Sequence, residues 1–114
     1  MVVLEPGAVV VLRFTFSDLS SSKARPAIVL APSSPPEWIV CQVTGNRFAD
    51  IVAIELNNSS FSNGNLHGKA YARPLKLFTA DESIVAQRVG TLKSTVFRSI
   101  LAILLDRLSG SLLS

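Results

Sequence analysis

Cysteine and histidine are nearly missing from this chain of 114 residues, which contains one residue of each type, Cys41 and His67. A lone cysteine cannot form a disulfide within the chain. Cys41 and His67 together also fall short of the ligand set of an ordinary structural zinc site. We therefore expect a cytoplasmic protein that uses neither a metal ion nor another cofactor.

Charged residues are scarce, and long apolar runs are missing too. Charged side chains make up 17% of the chain, and its longest apolar run, residues 100–105, is followed by Asp106. A membrane helix needs roughly 20 apolar residues in a row, so we expect no membrane-spanning segment. The stretch from Met1 to Leu12 is apolar but contains Glu5 and Pro6 and no basic residue. We expect no secretory signal there either.

The length and the apolar content are typical of one small folded domain. With 114 residues and a mass of 12.2 kDa, we expect a single domain over residues 1–114. Hydrophobic residues form 48% of the chain, which favours exposed apolar surface and hence a homodimer or another tight partner. Lys and Arg number 11 against 8 Asp and Glu, and the net charge of +3 permits nucleic-acid binding without requiring it.

Short segments rich in Val, Ile and Phe predict a series of β-strands. The predicted strands cover residues 8–16, 27–31, 38–43, 51–56, 69–78 and 84–89. Polar stretches between them predict loops over residues 18–24, 45–50 and 57–68. Gly90 is expected to close the last of these strands.

The period of the apolar residues changes toward about 3.6 from Val96 onward. Apolar side chains then recur at steps of three and four residues as far as Leu108, which predicts a helix that packs on the sheet. Ser94 or Thr95 is expected to cap its start, and Gly110 to end it. Many short strands with one late helix favour a mainly β fold, a small barrel or sandwich, over alternating strands and helices.

Two longer segments resemble the MazF/PemK family of toxins. They are GAVVVLRFTFSDLSSSKARPAIVLAP, residues 7–32, and RPLKLFTADESIVAQRVGTL, residues 73–92. The first is similar to the family's first strand, Ser/Gly-rich loop and Arg-Pro start of the second strand. The second resembles its Arg-containing strand, its LFT stretch and its Gly-Leu lead-in to a helix. The resemblance implies an SH3-like β-barrel of the MazF/PemK/CcdB type with a C-terminal helix.

The same resemblance implies a function for the chain. Resemblance to toxins of this kind implies a homodimer that cuts single-stranded mRNA at selected sequences without a metal ion. Such cutting inhibits translation. They leave 2′,3′-cyclic phosphate and 5′-hydroxyl ends and are silenced by a cognate antitoxin. Two alternatives stay open, namely a barrel that binds RNA or its antitoxin without cutting, and a gyrase poison like the CcdB toxins. The combination of Arg-Pro with a threonine argues against the gyrase poison.

Arg25 and Thr44 are the residues to which the resemblance assigns catalysis. Attack of a ribose 2′-hydroxyl on the adjacent phosphorus builds up negative charge, which a planar guanidinium and a hydroxyl donor can stabilise. Arg25 precedes Pro26 at the predicted start of one strand, and Thr44 ends another. From position alone, a surface charge paired with Asp18 or Glu37 is the favoured interpretation of Arg25, and Thr44 could equally end a strand and bond its own backbone before Gly45.

Side chains suited to binding RNA lie on predicted loops and strand ends. They are Lys23, Arg47, Phe48, Lys69, Arg73 and Lys76. Cations bind phosphates, and aromatic rings such as Phe48 or Phe61 can stack on unpaired bases. His67 lies in the predicted loop 57–68 and is expected to be a solvated residue rather than a catalyst.

Two departures from the family pattern leave the general base open. Some family members carry an acid or a histidine in the loop before Arg-Pro, where this chain has LSSSK at residues 19–23. The aspartate often found two residues after the second family arginine is replaced by Leu75. Arg73, which resembles that second arginine, could equally be a charge at the rim of the barrel, and we interpret it as a phosphate binder rather than as a catalyst.

Overall fold

The computed structural model describes residues 2–15, 22–47 and 49–114, and this part of the chain forms seven β-strands and one α-helix. Met1, residues 16–21 and Phe48 lie outside the description. Two short 3₁₀ helices, Asn58–Ser60 and Glu82–Ile84, precede the fifth and the seventh strand. The strands and the helix are β1 (Ala8–Thr15), β2 (Ser22–Pro32), β3 (Glu37–Thr44), β4 (Ile54–Leu56), β5 (Phe61–Gly64), β6 (Ala70–Asp81), β7 (Val85–Leu92) and α1 (Ser94–Leu112).

The described strands join in one antiparallel sheet with the order β4-β6-β3-β2-β1-β7-β5. The sheet curves into a half-barrel that is followed by α1. This architecture confirms the predicted mainly β barrel fold with a C-terminal helix. Because β3, β2 and β1 occupy the middle of the sheet, their side chains can be covered on both faces.

Both faces of the central strands are indeed apolar and buried. On one face, Val9 packs in a cluster with Cys41 of β3 and Ile100 of α1. On the other face, Val10 packs in a second cluster with Val29 of β2. Since successive side chains of a strand point to opposite faces, the apolar run of β1 fills two cores at once.

α1 begins at Ser94 and ends at Leu112, so the predicted start and end signals are wrong. The residue before the helix, Lys93, makes no side-chain capping bond, and its backbone N–H donates to the Ser60 carbonyl at 2.9 Å. This contact with Ser60, the last residue of the first 3₁₀ helix, therefore fixes the start of α1. Gly110 lies inside α1, because a penalty of about 1 kcal/mol does not end an established helix.

In the described part of the chain, no helix combines the length and the apolar character that a membrane crossing requires.

The starts of β2 and β4 differ from those predicted. β2 begins at Ser22, so the predicted loop 18–24 is wrong for its last three residues, whose backbone pairs with β1. β4 covers only Ile54–Leu56, since the chain turns at the preceding residues and leaves the Ile51 side chain 84% exposed. Backbone pairing rather than side-chain polarity decides both boundaries.

The predicted loop 57–68 contains a strand, because β5 pairs with β7. At Gly64, φ is +72° and an added Cβ would lie 2.1 Å from the Val89 carbonyl oxygen, so only glycine fits there. Gly90 lies opposite Gly64 within β7 and does not close that strand. Phe61 is only 6% exposed and packs in the core, so the prediction that it stacks on RNA bases is wrong.

Cys41 is a buried side chain of β3. It lies opposite Ile28 of β2 and has no exposed surface. Burial raises the pKa of its thiol from 9.0 to about 12. Since the thiolate is the reactive form of cysteine, Cys41 acts as a core residue and not as a nucleophile.

Replacement of Ile100 by Ala is expected to lower the free energy of unfolding by about 2–5 kcal/mol, because the removed methyl groups leave a cavity under α1. The matched control is Val3→Ala, at a side chain that is 73% exposed. The control is expected to change stability by less than about 0.5 kcal/mol. Urea unfolding measures both values, and equal losses would contradict the placement of Ile100 in the core.

Candidate functional site

Arg25 and Thr44 lie at the same end of two neighbouring strands. The last pair of the β2–β3 ladder is Ala27 with Gln42, and Arg25 and Thr44 each lie two residues beyond it, one on each strand. Side chains two residues apart on a strand share a face, so both belong to the face of Ala27 and Gln42. Arg25 is exposed and Thr44 is half-buried. The register therefore brings these two residues to one end and one face of the sheet.

Further polar side chains share this end, because the β3–β6 ladder pairs Gln42 with Arg73 and Thr44 with Tyr71. Residues paired directly across an antiparallel ladder lie on the same face. In the opposite direction, this face continues as the second apolar cluster. We name the set the polar end, and it consists of Lys23, Arg25, Gln42, Thr44, Tyr71 and Arg73.

Arg73 is held by acceptors on two of its nitrogens. Its Nε donates to Asp50 Oδ2 at 2.8 Å, and its Nη1 donates to Gln42 Oε1 at 3.1 Å. The Arg73 and Asp50 side chains are 22% and 12% exposed, so water screens this ion pair less than an ordinary surface pair. Two anchors on one planar group fix its orientation.

Asp50 connects the sheet to the loop between β3 and β4. The hydrogen bond from Arg73 lowers the pKa of Asp50 below its ordinary value of 3.8, partial burial acts against this, and the Val52 N–H and the charges of Arg73 and Arg47 lower the pKa further. The Val52 N–H donates to Oδ1 at 3.1 Å. Arg47 Nε donates to the Asp50 backbone carbonyl at 3.2 Å. One ionised carboxylate thus ties Arg73 to the loop that carries Arg47.

Sequence reasoning missed Asp50 and Gln42. Gln42 could have been found, because it lies two residues before Thr44 in a predicted strand and hence on the same face. Asp50 gave no such signal. It comes from a loop and meets Arg73, 23 residues later in the chain, only after the sheet has formed.

β6 carries a bulge over residues 74–76, which have no partner in the ladder with β3. Arg73, directly before the bulge, pairs with Gln42. Leu75 and Lys76 lie within the bulge and are exposed. The predicted RNA-binding Lys76 is therefore close to the polar end along the chain, but the register assigns it to neither face.

A cavity of about 600 Å³ is lined by residues 55–59 and 65–69, none of which belongs to the polar end. Glu55 in its lining pairs with Tyr71 of β6, which pairs with Thr44 on its other side. The predicted RNA-binding Lys69 also lines it, as does His67, which is exposed as expected. The other lining residues are mostly polar and comprise Leu56, Asn57, Asn58, Ser59, Asn65, Leu66 and Gly68.

Glu37 cannot be the partner of Arg25. Glu37 starts β3 and Thr44 ends it, and eight strand residues at about 3.3 Å each separate the two by more than 20 Å. Asp18, the other suggested partner, and the predicted RNA-binding Phe48 lie outside the described residues. Within the part of the chain that the structure describes, no three His, Cys, Asp or Glu side chains form a group that could hold a metal ion.

A profile of the family described as "PemK-like, MazF-like toxin of type II toxin-antitoxin system" matches residues 5–107. The chain belongs to this family. The match includes all seven strands and most of α1, and it confirms the PemK/MazF resemblance of residues 7–32 and 73–92. No curated protein matches this family member significantly.

Solved structures of PemK/MazF relatives share the fold of the chain. Two structures of a MazE-MazF complex from Deinococcus radiodurans give TM-scores of 0.72 and 0.76 at 18% and 19% identity. These alignments cover 94% and 96% of this chain and 97% and 98% of the other chain. A mycobacterial endoribonuclease in complex with its cognate antitoxin gives 0.68 at 13% identity, with 96% of both chains covered. At such identities the likeness shows the fold.

The ion pair of Asp50 predicts how stability depends on pH. The pKa of Asp50 in the folded chain lies below its ordinary value. The contribution of the ion pair to the free energy of unfolding is therefore complete above about pH 5 and is lost as the pH falls through the folded pKa. Asp50→Asn is expected to be less stable than wild type at neutral pH, with a difference that shrinks below about pH 4. Urea unfolding between about pH 2.5 and 7 measures this difference.

The control for this titration is Arg73→Gln, alone and combined with Asp50→Asn. Without the guanidinium, the main cause of the lowered pKa of Asp50 is gone. The effect of Asp50→Asn on stability should then be nearly the same at acid and neutral pH. A difference that stays as steep in the Arg73→Gln background would contradict the assignment.

Proposed function

We propose that the chain is the toxin of a toxin-antitoxin pair and acts as a sequence-selective, metal-independent endoribonuclease on single-stranded mRNA. The observation that carries the proposal is the register that puts Arg25 and Thr44 at one end and one face of neighbouring strands in a PemK/MazF-family chain. One similar structure is that of an endoribonuclease with its cognate antitoxin. Lys23 and Arg73 add positive charge at the same end.

In the proposed reaction, the ribose 2′-oxygen attacks the adjacent phosphorus. The O2′–P bond forms and the P–O5′ bond breaks, the 2′-hydroxyl gives up its proton, and the leaving 5′-oxygen takes one up. The products are a 2′,3′-cyclic phosphate end and a 5′-hydroxyl end, and no other reactant is consumed. Negative charge builds up on the phosphoryl oxygens, and donors placed in advance stabilise it.

Arg25 and Thr44 are the donors for that charge. Arginine stays protonated, so Arg25 acts by electrostatic stabilisation and by its two parallel N–H groups. Thr44 Oγ1 accepts the Asn46 N–H at 3.3 Å. A hydroxyl that accepts one hydrogen bond can still donate another, and Thr44 donates this hydrogen bond to a phosphoryl oxygen.

The remaining predicted side chains bind the RNA around the cut. Arg73, fixed by Asp50 and Gln42, takes a phosphate, and Lys23 lies two residues from Arg25 on the same strand. Arg47 comes from the adjoining loop, Lys69 and Lys76 flank the polar end along the chain, and Phe48 is proposed to stack on a base. With several phosphate contacts, binding weakens as salt rises.

The proposal includes a homodimer and an antitoxin as partners, in the cytoplasm where mRNA is found. α1 leaves large apolar side chains uncovered, with Leu105 and Leu108 at 59% and 58% exposure and Leu112 at 86%. An apolar helix face of this kind is suited to a second copy of the chain. The basic polar end is suited to an antitoxin segment with acidic side chains.

Arg25→Ala is expected to lower the rate of RNA cleavage by about a hundredfold or more, because it removes the main stabilisation of the transition-state charge. Thr44→Val keeps the size of the side chain and removes the donor, and a loss of about tenfold or more is expected. The assay is cleavage of a long unstructured RNA in EDTA with mapping of the product ends. Cuts at a short recurring sequence with cyclic phosphate ends support the proposal.

The matched control for Arg25→Ala is Arg13→Ala. Arg13 is an exposed arginine of the neighbouring strand, opposite Ala24, and hence on the other face of the sheet. Its loss should leave cleavage within about twofold. If wild type binds RNA or an antitoxin peptide without cutting, the chain is a binding module, and if it arrests gyrase instead, it is a CcdB-like poison.

Leu108→Asp is expected to convert a dimer into a monomer, since a charge on the exposed apolar side of α1 disfavours its burial. Ser99→Asp adds the same charge on the opposite side of α1, nine residues and therefore about half a turn away in angle. That control should remain dimeric. Sedimentation equilibrium measures the mass, and a monomeric wild type would contradict the homodimer.

A further inference from the structure

We infer that Asp50 is a positioning residue, which holds the guanidinium of Arg73 in the orientation that binds the RNA phosphate beside Arg25 and Thr44. The inference rests on the proposed function. It assigns to a loop residue the carboxylate that the family resemblance would place at position 75, where this chain has Leu75.

The hydrogen bonds of Arg73 divide its guanidinium into an anchored and an open part. Nε is bound to Asp50 and Nη1 to Gln42. Among the residues that the structure describes, no acceptor contacts Nη2. Because the group is planar, the two anchors fix the direction of the open N–H edge. Without them, Arg73 would hold that edge only at the cost of side-chain conformational entropy.

The register places Arg73 on the same face of the sheet as the proposed catalytic pair. Gln42 pairs with Arg73 on one side and with Ala27 on the other. Thr44 lies two residues from Gln42 on the same strand, and Arg25 lies two residues from Ala27. Arg73 is therefore fixed one strand away from Thr44, on the face where the phosphate is proposed to bind.

Asp50 also binds residues of its own loop, between β3 and β4. One carboxylate oxygen accepts from Arg73 and the other from the Val52 backbone N–H. Its backbone carbonyl accepts from Arg47 Nε. Both oxygens of the carboxylate thus accept hydrogen bonds within the protein. The bond from the loop orients the carboxylate, and the carboxylate orients Arg73.

Because Asp50 is negatively charged, its neutralisation distinguishes the positioning of Arg73 from simple electrostatic attraction of the RNA. A carboxylate beside a phosphate-binding face weakens RNA binding by repulsion, so its neutralisation adds one positive unit of net charge and favours binding. Loss of positioning has the opposite effect on the chemical step, because a misplaced donor no longer fits the transition state. A merely structural residue would weaken binding and cleavage together.

The test compares Asp50→Asn with Asp81→Asn. Each aspartate accepts the backbone N–H of the residue two positions later, at 3.1 Å for Asp50 and 2.8 Å for Asp81. Asp81 lies opposite Glu37, at the other end of β3 from the polar end. Asparagine keeps an oxygen that can accept the same local bond, so the two variants remove the same charge and differ in the contact with Arg73.

For Asp50→Asn, we expect kcat at saturating RNA to fall about tenfold, while affinity for an oligonucleotide with a 2′-deoxy group at the cut site stays equal or becomes tighter. Asp81→Asn should leave kcat within about twofold. If Asp50→Asn proves unfolded by circular dichroism, Gln42→Met removes the other anchor and is expected to lower kcat in the same selective way.

Three results would overturn the inference. Wild-type kcat in folded Asp50→Asn, or in Gln42→Met where Asp50→Asn is unfolded, refutes positioning while the proposed nuclease stands. A parallel loss of kcat and of affinity in the folded variant assigns Asp50 a structural role. A wild-type chain that does not cut RNA overturns the proposed function, and the inference with it.

Discussion

The antiparallel register between β2 and β3 decides where the candidate site residues Arg25 and Thr44 lie. A shift of one residue would move Arg25 or Thr44 to the other face of the sheet and separate them. The shift is disfavoured because these strands are buried on both faces, with Ile28 and Cys41 in one core and Val29 and Val40 in the other. Packing some distance away therefore holds the polar end in place.

The same face of the sheet serves two purposes along its length. Its middle is an apolar core, and its end carries cations, amides and hydroxyls, with the change at the pair of Ala27 and Gln42. Lys23 and Arg25 lie two residues apart on β2 and are exposed, and Arg73 lies on the same face in β6. Asp50 offsets part of the resulting repulsion between positive charges.

Much of this arrangement was predictable from the sequence. The apolar centres of the long strands identify themselves by composition, and the Arg-Pro segment with Thr44 identifies the polar end by family resemblance. β5 could not be predicted, because Phe61–Gly64 carries one apolar side chain and owes its pairing to the tight approach of Gly64 and Gly90. The role of Asp50 also depends on tertiary structure, since no periodic pattern connects a loop carboxylate to a strand arginine. The end of α1 was mispredicted because a glycine signal is weaker than helix continuation.

The burial of Cys41 has a consequence for how the folded chain responds to oxidants. Its thiol is the sole cysteine sulfur of the protein and, with a pKa of about 12, it is almost never ionised under cellular conditions. Peroxide and glutathione react with thiolates, so oxidative stress has no cysteine switch to act on in the folded chain.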